Sequence, residues 1–337
     1  MTLAEHVHHL RTLIESTFEK ELAMLGFGPS AASEPGGLSE SETRHHARFD
    51  AMLANHQGET GDYPAARAKL VDELAFTLFN RLAALKVMEA ARFFPPVLER
   101  QAELGNRSAG HRAWLEADPT RRQREREGLR DYFKDAFDGL GESLPLYRRD
   151  YPYALLPGAD DLDAIIEAFN AVEQDPKITV EGGLWQSDDI LGWLYESYNN
   201  AKKQAFKDSG DDTEYDKVSL QSQVYTPRWV VEFLVNNSLG KLYLEMYPDS
   251  TIRNRFKIAN APTERTRERK PLTEIRLIDP ACGSGNFLLY AFDFLYALYL
   301  DRIDDAESDY DEADIPRLII EHNLHGIDLD DRAVQLA

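Results

Sequence analysis

The residues with the clearest chemical potential form one short run. Arg276-Leu277-Ile278-Asp279 reads as an apolar strand ending in a carboxylate, Gly283 and Gly285 allow a tight turn, and Phe287 to Leu300 reads as a helix. Strand, glycine loop and helix in that order bring backbone amides and a helix N-terminus against a ligand, and bare glycines let the ligand approach to van der Waals contact. Nucleotides, dinucleotides and S-adenosylmethionine are all held in this way. The spacing is not Gly-x-Gly-x-x-Gly, and no Lys-Ser/Thr pair follows the glycines, so phosphate ligands are disfavoured at this loop.

Two further segments carry chemistry in relation to it. Tyr225-Thr226-Pro227 precedes a helical pattern, and Pro227 in a first helical turn is by itself an ordinary helix start. Leu324-His325-Gly326-Ile327-Asp328-Leu329-Asp330 reads as a second strand ending in acids. A carboxylate there suits two hydrogen bonds to ribose hydroxyls. Taken alone, Asp328 and Asp330 are equally ordinary helix N-cap acids.

The string Asp279-Pro280-Ala281-Cys282-Gly283-Ser284-Gly285-Asn286-Phe287-Leu288 resembles the first motif of the amino-group DNA methyltransferases. The resemblance implies S-adenosylmethionine as cofactor, held by Asp279, Ala281, Gly283, Gly285 and Asn286. Gln223 to Val231 resembles the motif in which a threonine hydroxyl and its neighbours hold the methionine carboxylate, which assigns that role to Tyr225 and Thr226. In the same resemblance Asp328 takes the ribose and Leu329 packs on the adenine ring. A Thr-Pro element ahead of the glycine loop is the motif order of the adenine-N6 branch. Leu78 to Glu89 and Ile190 to Glu196 are similar to segments of the PglX methyltransferases of BREX phage-defence systems, with the DISARM methylases as near competitors; these similarities touch scattered blocks from about residue 70 onward. The resemblance implies a site-specific enzyme that methylates adenine N6 in double-stranded DNA, in phage defence or restriction-modification, alongside defence-system protein partners.

Two departures qualify this. The separation of Asp279 from Asp328 far exceeds the roughly 20 residues of a simple nucleotide-binding unit, and the acidic run Asp301 to Asp314 is expected to fill it as an insertion. The family's catalytic tetrapeptide, Asn or Asp followed by Pro-Pro and an aromatic, does not occur; Phe94-Pro95-Pro96 has no amide or carboxylate before its prolines. No catalytic residue is therefore assigned. The chain is expected to be the N-terminal portion of a longer enzyme and inactive by itself. Two alternatives remain: a non-catalytic helical protein-interaction module of a defence complex, and a methyltransferase acting on RNA or protein glutamine.

The elements that must position these residues follow from periodicity. Leu3, Val7, Leu10, Leu13, Ile14 and Phe18 predict an amphipathic helix, followed by a Gly/Pro/Ser-rich loop from Gly26 to Gly37. Leu70, Leu74, Leu78, Leu82 and Leu85 predict a long core helix beginning near Pro64 and ending at Pro95-Pro96. The Arg/Glu alternation from Arg121 to Glu127 predicts a solvated helix face. Helices are also expected over Asp161 to Val172 and Asp188 to Phe206, and a polar hinge over Asp211 to Lys217. The fold expected is a mainly α-helical N-terminal domain, residues 1–210, followed by the start of a Rossmann-like α/β methyltransferase domain, residues 211–337, incomplete as it stands.

Composition bounds the rest. The chain has 337 residues, is 43% hydrophobic, and has a single cysteine, Cys282, which excludes an internal disulfide framework and a thiolate metal cluster. His8-His9 and His45-His46 are read as surface residues, and no metal is expected. No long apolar run or secretory signal is visible, so a cytoplasmic protein with no membrane association is expected. The net charge of −21 opposes DNA binding on average, or reflects a salt-loving source. The cluster Arg253, Arg255, Lys257, Arg265, Arg267, Arg269 and Lys270 is the candidate DNA-phosphate contact.

Overall fold

The computed structural model describes residues 1–33, 36–209, 225–305 and 310–337. The expected hinge from Asp211 to Lys217 lies outside the described residues, as do Gln223 and Val224. The chain divides into two compact units, Met1–Ile190 and Leu191–Ala337.

The first unit is helical: α1 (Leu3–Met24), α2 (Glu40–Thr60), α3 (Tyr63–Ala90), α4 (Ala109–Ala117), α5 (Leu129–Gly141) and α6 (Ala159–Gln174). Local chemistry sets the helix starts. Thr2 with Glu5, and Ser39 with Glu42, form reciprocal capping boxes, and Asp62 accepts from Ala65 N ahead of Pro64. The predicted leucine stripe of α3 is core: Leu70, Leu74, Leu78, Leu82 and Leu85 are all buried, in company with Ile14 and Phe18 of α1 and Leu162 and Phe169 of α6.

Because α3 is buried on nearly every side, its polar residues need internal partners. Glu89 accepts from the amides of Val97, Leu98 and Glu99, which closes the turn beyond Pro95-Pro96. The helix ends at Ala90 rather than at the prolines, since Arg92 turns into the left-handed region at φ 61°.

The expected helix face over Arg121 to Glu127 is not one helix. Two short 3-10 turns, Pro119–Gln123 and Glu125–Gly128, replace it, with Arg126 at φ 45° and Glu127 at φ 53°. Tertiary contacts override the local pattern: the Arg121 guanidinium stacks 4.0 Å from the Trp114 ring, and Glu127 takes a forked ion pair from Arg107.

The second unit is built around the helix Asn286–Arg302, whose Tyr290, Ala291, Phe294, Leu295, Leu298 and Tyr299 are all buried. The unit also contains α7 (Ile190–Ser209), opened by a residue of the first unit, and against the hub packs the helix Arg228–Val235, which continues through a π turn, Asn236–Gly240, into Lys241–Met246. Beneath the hub run two parallel strands, β1 (Leu277–Asp279) and β2 (Leu324–Gly326), paired Leu277 to Leu324, Ile278 to His325 and Asp279 to Gly326. A strand–helix–strand unit is the usual way to join parallel strands. Alternation puts Leu277 and Leu324 against the helical core and turns Ile278 outward, where it is 60% exposed. The acidic run is only partly an insertion. Asp301 belongs to the hub helix and accepts from Tyr243 and Ser250 hydroxyls, while residues 306–309 lie outside the described residues.

Candidate cofactor-binding site

The glycine loop is held by both strands. Ile327 N donates to Asp279 O at 2.9 Å and Cys282 N to Ile327 O at 3.0 Å, so the pairing of β1 with β2 runs on past the strands into the loop. Asp279 Oδ1 accepts from Ala281 N at 3.1 Å, which turns the chain sharply after β1. Gly283 at φ 53° and Gly285 at φ 85° adopt the left-handed conformation the loop requires. A Cβ on Gly283 would meet no atom within 4 Å, whereas one on Gly285 would come within 3.1 Å of the Ala337 backbone. One glycine therefore opens onto space beside the loop and the other is packed.

Asp328 stands at this opening. Its Oδ2 accepts from Gly283 N at 2.8 Å and its Oδ1 from Asp330 N at 2.8 Å. The carboxylate keeps acceptor capacity after these two bonds. It is Asp330, not Asp328, that caps a helix: its side chain accepts from Arg332 N ahead of Asp331–Val334. Asp330 is buried and also accepts from Tyr195 Oη at 2.8 Å, which ties α7 to the end of the second strand. The hydrogen bonds from Arg332 and Tyr195 outweigh burial and hold the Asp330 carboxyl below the usual carboxylate range. Beside Asp328, Ile327 and Leu329 are 58% and 69% exposed, an apolar flank of the site.

Asn286, the first residue of the hub helix, donates from Nδ2 to Thr226 O at 2.7 Å. That bond brings the Tyr225-Thr226 segment to the glycine loop, although sixty residues separate them. Tyr225 lies on the backbone of α7: a Cβ on Gly192 would come within 2.4 Å of its ring. Gly192 lies inside the Ile190 to Glu196 segment, whose similarity alone gave it no role. A glycine inside an aromatic-rich helix was the available sign of a close approach. Cys282 is buried, and burial, with Asp328 and Asp279 nearby, pushes its thiol up, so it remains protonated and inert at neutral pH.

The structure thus brings Tyr225, Thr226, Asp279, Ala281, Gly283, Gly285, Asn286, Asp328 and Leu329 into one neighbourhood of the second unit. The histidine pairs lie in the first unit: His8 and His9 are exposed as expected, whereas His45 and His46 are half-buried, His46 stacking on Phe27 at 4.6 Å and His45 tilting against Phe49. Cations of the 253–270 segment are engaged locally, Arg267 with Glu245 at 2.9 Å and Lys270 with Glu274 O, while Arg269 covers Tyr247. Among the described residues no group of acids, histidines and cysteine is arranged to hold a metal ion, and no helix is long and apolar enough to cross a membrane.

Residues 257–337, which contain both strands, the glycine loop and Asp328, match the family model described as the MmeI DNA-methyltransferase domain. Over 94% of its length the chain is 28% identical to the adenine-specific methyltransferase BrxX of Escherichia coli O9:H4, and over 97% it is 27% identical to the adenine-specific methyltransferase PglX of Lacticaseibacillus casei. A putative type II restriction enzyme and methyltransferase of Methanocaldococcus jannaschii is 25% identical over 99% of the chain. The resemblance to PglX is borne out, and it extends through the helical unit rather than only from residue 70 onward. The chain spans 28%, 31% and 30% of the lengths of these three relatives.

Proposed function

We propose that the loop Asp279–Asn286 binds S-adenosylmethionine, and that the chain is the N-terminal portion of a site-specific methyltransferase acting on adenine N6 in double-stranded DNA. The observation that carries this reading is the Asp328 carboxylate hydrogen-bonded to Gly283 N at the open side of the loop. A nucleoside fits that arrangement: acceptor capacity on Asp328 meets ribose hydroxyls, exposed Leu329 meets the adenine ring, and the space beside Gly283 admits the thioether end. Thr226, drawn in by Asn286, and Tyr225 stand where the methionine carboxylate would be held. The parallel strand pair with its crossover helix suits the opening of a Rossmann-like sheet.

The cofactor supplies an electrophilic sulfonium methyl. This chain's residues bind and orient it, and catalysis consists mainly of positioning a flipped adenine in line with that methyl. No residue of this chain is assigned a contact to the base. The similarity to methyltransferases named adenine-specific supports adenine as the target, and DNA as the partner of the whole protein.

Calorimetry with S-adenosylmethionine on the folded chain tests the site. Saturable binding is expected, lost in Asp328→Ala; no heat from well-folded protein would overturn the reading and favour the protein-interaction alternative. Methylation of adenine-containing and adenine-free duplexes by a polypeptide of the relatives' length tests the substrate.

A further inference from the structure

A second site lies in the helical unit. Seven arginines and a lysine, against four aspartates, line one open cleft of about 660 Å³ formed by α2, α3, α4, α5 and the chain around Tyr147 to Leu156. In a chain of net charge −21 this concentration of cations is anomalous. The four aspartates are already committed. Asp118 faces Arg121 at 3.6 Å, Asp131 pairs with Arg124 and Lys134, Asp138 pairs with Arg149, and Asp135 accepts from Trp114 Nε1 at 2.8 Å.

Arg44 pairs with Glu40 at 2.7 Å, and among the described residues Arg48, Arg81 and Arg130 form no direct ion pair. Arg48 donates to Tyr151 O, Arg81 to Leu146 O and Arg148 O, and Arg130 to Pro157 O and Leu156 O, so their described hydrogen bonds all go to backbone carbonyls. Arg81 is 3% exposed, and burial pushes its guanidinium down to about 10, because a cation held by carbonyls and by the faces of Phe137 and Tyr151 has lost most of its solvation. Asp150 near Arg48 offsets part of the charge. The field is felt by His45 at the rim, which burial and then Arg130, Arg48, Lys134 and Arg44 together hold below its usual range.

Carbonyl-held guanidiniums keep donors in a fixed fork suited to an oxyanion with several equivalent oxygens. The volume is within the range of small-ligand sites. We propose that this cleft binds a phosphate group, with Arg48, Arg81 and Arg130 as its principal ligands. A phosphate of a free small molecule and a phosphodiester of a nucleic-acid backbone share this chemistry.

The test uses the full 337-residue chain at low salt, with inorganic pyrophosphate followed by calorimetry and a fluorescein-labelled DNA duplex followed by anisotropy. Pyrophosphate is expected to bind, about tenfold more weakly to Arg48→Gln or Arg130→Gln, in line with loss of one charge-assisted hydrogen bond, and with intermediate weakening in Arg48→Lys. Arg112→Gln, an exposed position outside the cleft paired with Glu116, serves as control and should bind as the parent does. A thermal melt of each variant separates lost binding from lost fold. Duplex binding with the same sensitivity, displaced by pyrophosphate, assigns the phosphate to nucleic acid; duplex binding that is absent or indifferent to the variants, with pyrophosphate still sensitive, assigns it to a small molecule. Folded protein that binds neither ligand, or binds both equally well in every variant, overturns the proposal. S-adenosylmethionine affinity should be the same in all these variants, so failure here is distinguishable from failure at the glycine loop.

Discussion

Gly283 of the candidate site and Gly326 at the end of β2 are glycines for different reasons, and substitution separates them. At Gly283 a methyl group has open space, and the cost is that of a left-handed conformation at φ 53°, about 1 kcal/mol for an alanine. Gly326→Ala instead pushes a methyl to 2.8 Å from Leu288 Cδ1 and 3.0 Å from Cys282 Sγ, which overpacks the strand and costs roughly 1–3 kcal/mol. Gly283→Ala is therefore expected to melt within a few degrees of the parent while losing S-adenosylmethionine affinity, because its methyl enters the space the ligand needs. Gly326→Ala should lose more stability. Melting curves with calorimetry decide it, and unchanged affinity in a folded Gly283→Ala would remove Gly283 from the site. Three histidines of the helical unit make a second prediction at this scale. Burial is the leading cause of a lowered pKa at His45, His56 and His111. The folded state thus prefers neutral imidazole, and the unfolded chain takes up protons first as pH falls below the ordinary value of 6.5. The stability they contribute is present above that value and lost below it. The melting temperature should fall between pH 7.5 and 5.5, less steeply in His45→Gln; a flat profile for the parent would contradict the assignment.

At the scale of elements, the start of β2 depends on Asn323. This fully buried side chain donates to Leu272 O at 2.7 Å and Ile275 O at 2.6 Å, and its Oδ1 accepts from Tyr299 Oη at 3.0 Å. It joins the turn before β1, the hub helix and the residue that opens β2. Asn323→Ala leaves two carbonyls and a hydroxyl unsatisfied and is expected to cost about 3 kcal/mol, against about 1 kcal/mol for Tyr299→Phe, which removes a single bond; denaturant titration measures both. Elements whose residues meet neighbours along the chain were legible in the sequence: the leucine stripe of α3, the start of α1, and the strand, loop and helix around Gly283. Those decided by distant contacts were not. Arg126 and Glu127 leave helical geometry because Arg107 and Trp114 hold their neighbourhood, and the bond from Asn286 to Thr226 joins segments that sequence could order but not bring together. The cationic cleft was illegible for the same reason. Its principal arginines, Arg48, Arg81 and Arg130, come from α2, α3 and α5, far apart in sequence, and only the fold gathers them.

For the whole molecule, the function proposed above divides cofactor binding from base recognition, and the two can be tested apart. Its 337 residues contain no Asn- or Asp-Pro-Pro-aromatic string, so the polar acceptor and the stacking aromatic of that motif are not supplied by it. The two-stranded sheet leaves Ile278, Ile327 and Leu329 mostly exposed on one side of the candidate site, where apolar side chains are costly to hydrate. The average charge repels DNA, so any grip on phosphate has to come from a local concentration of cations such as the cleft of the helical unit. Binding and turnover should therefore separate. With methyl-labelled S-adenosylmethionine and an adenine-containing duplex, the 337-residue chain is expected to retain the cofactor and transfer no label to DNA, whereas a polypeptide of the relatives' length transfers it. Label transfer by the shorter chain would show that the methyl acceptor is positioned by residues already present here, and the division of labour argued from Asp328 and the glycine loop would have to be abandoned.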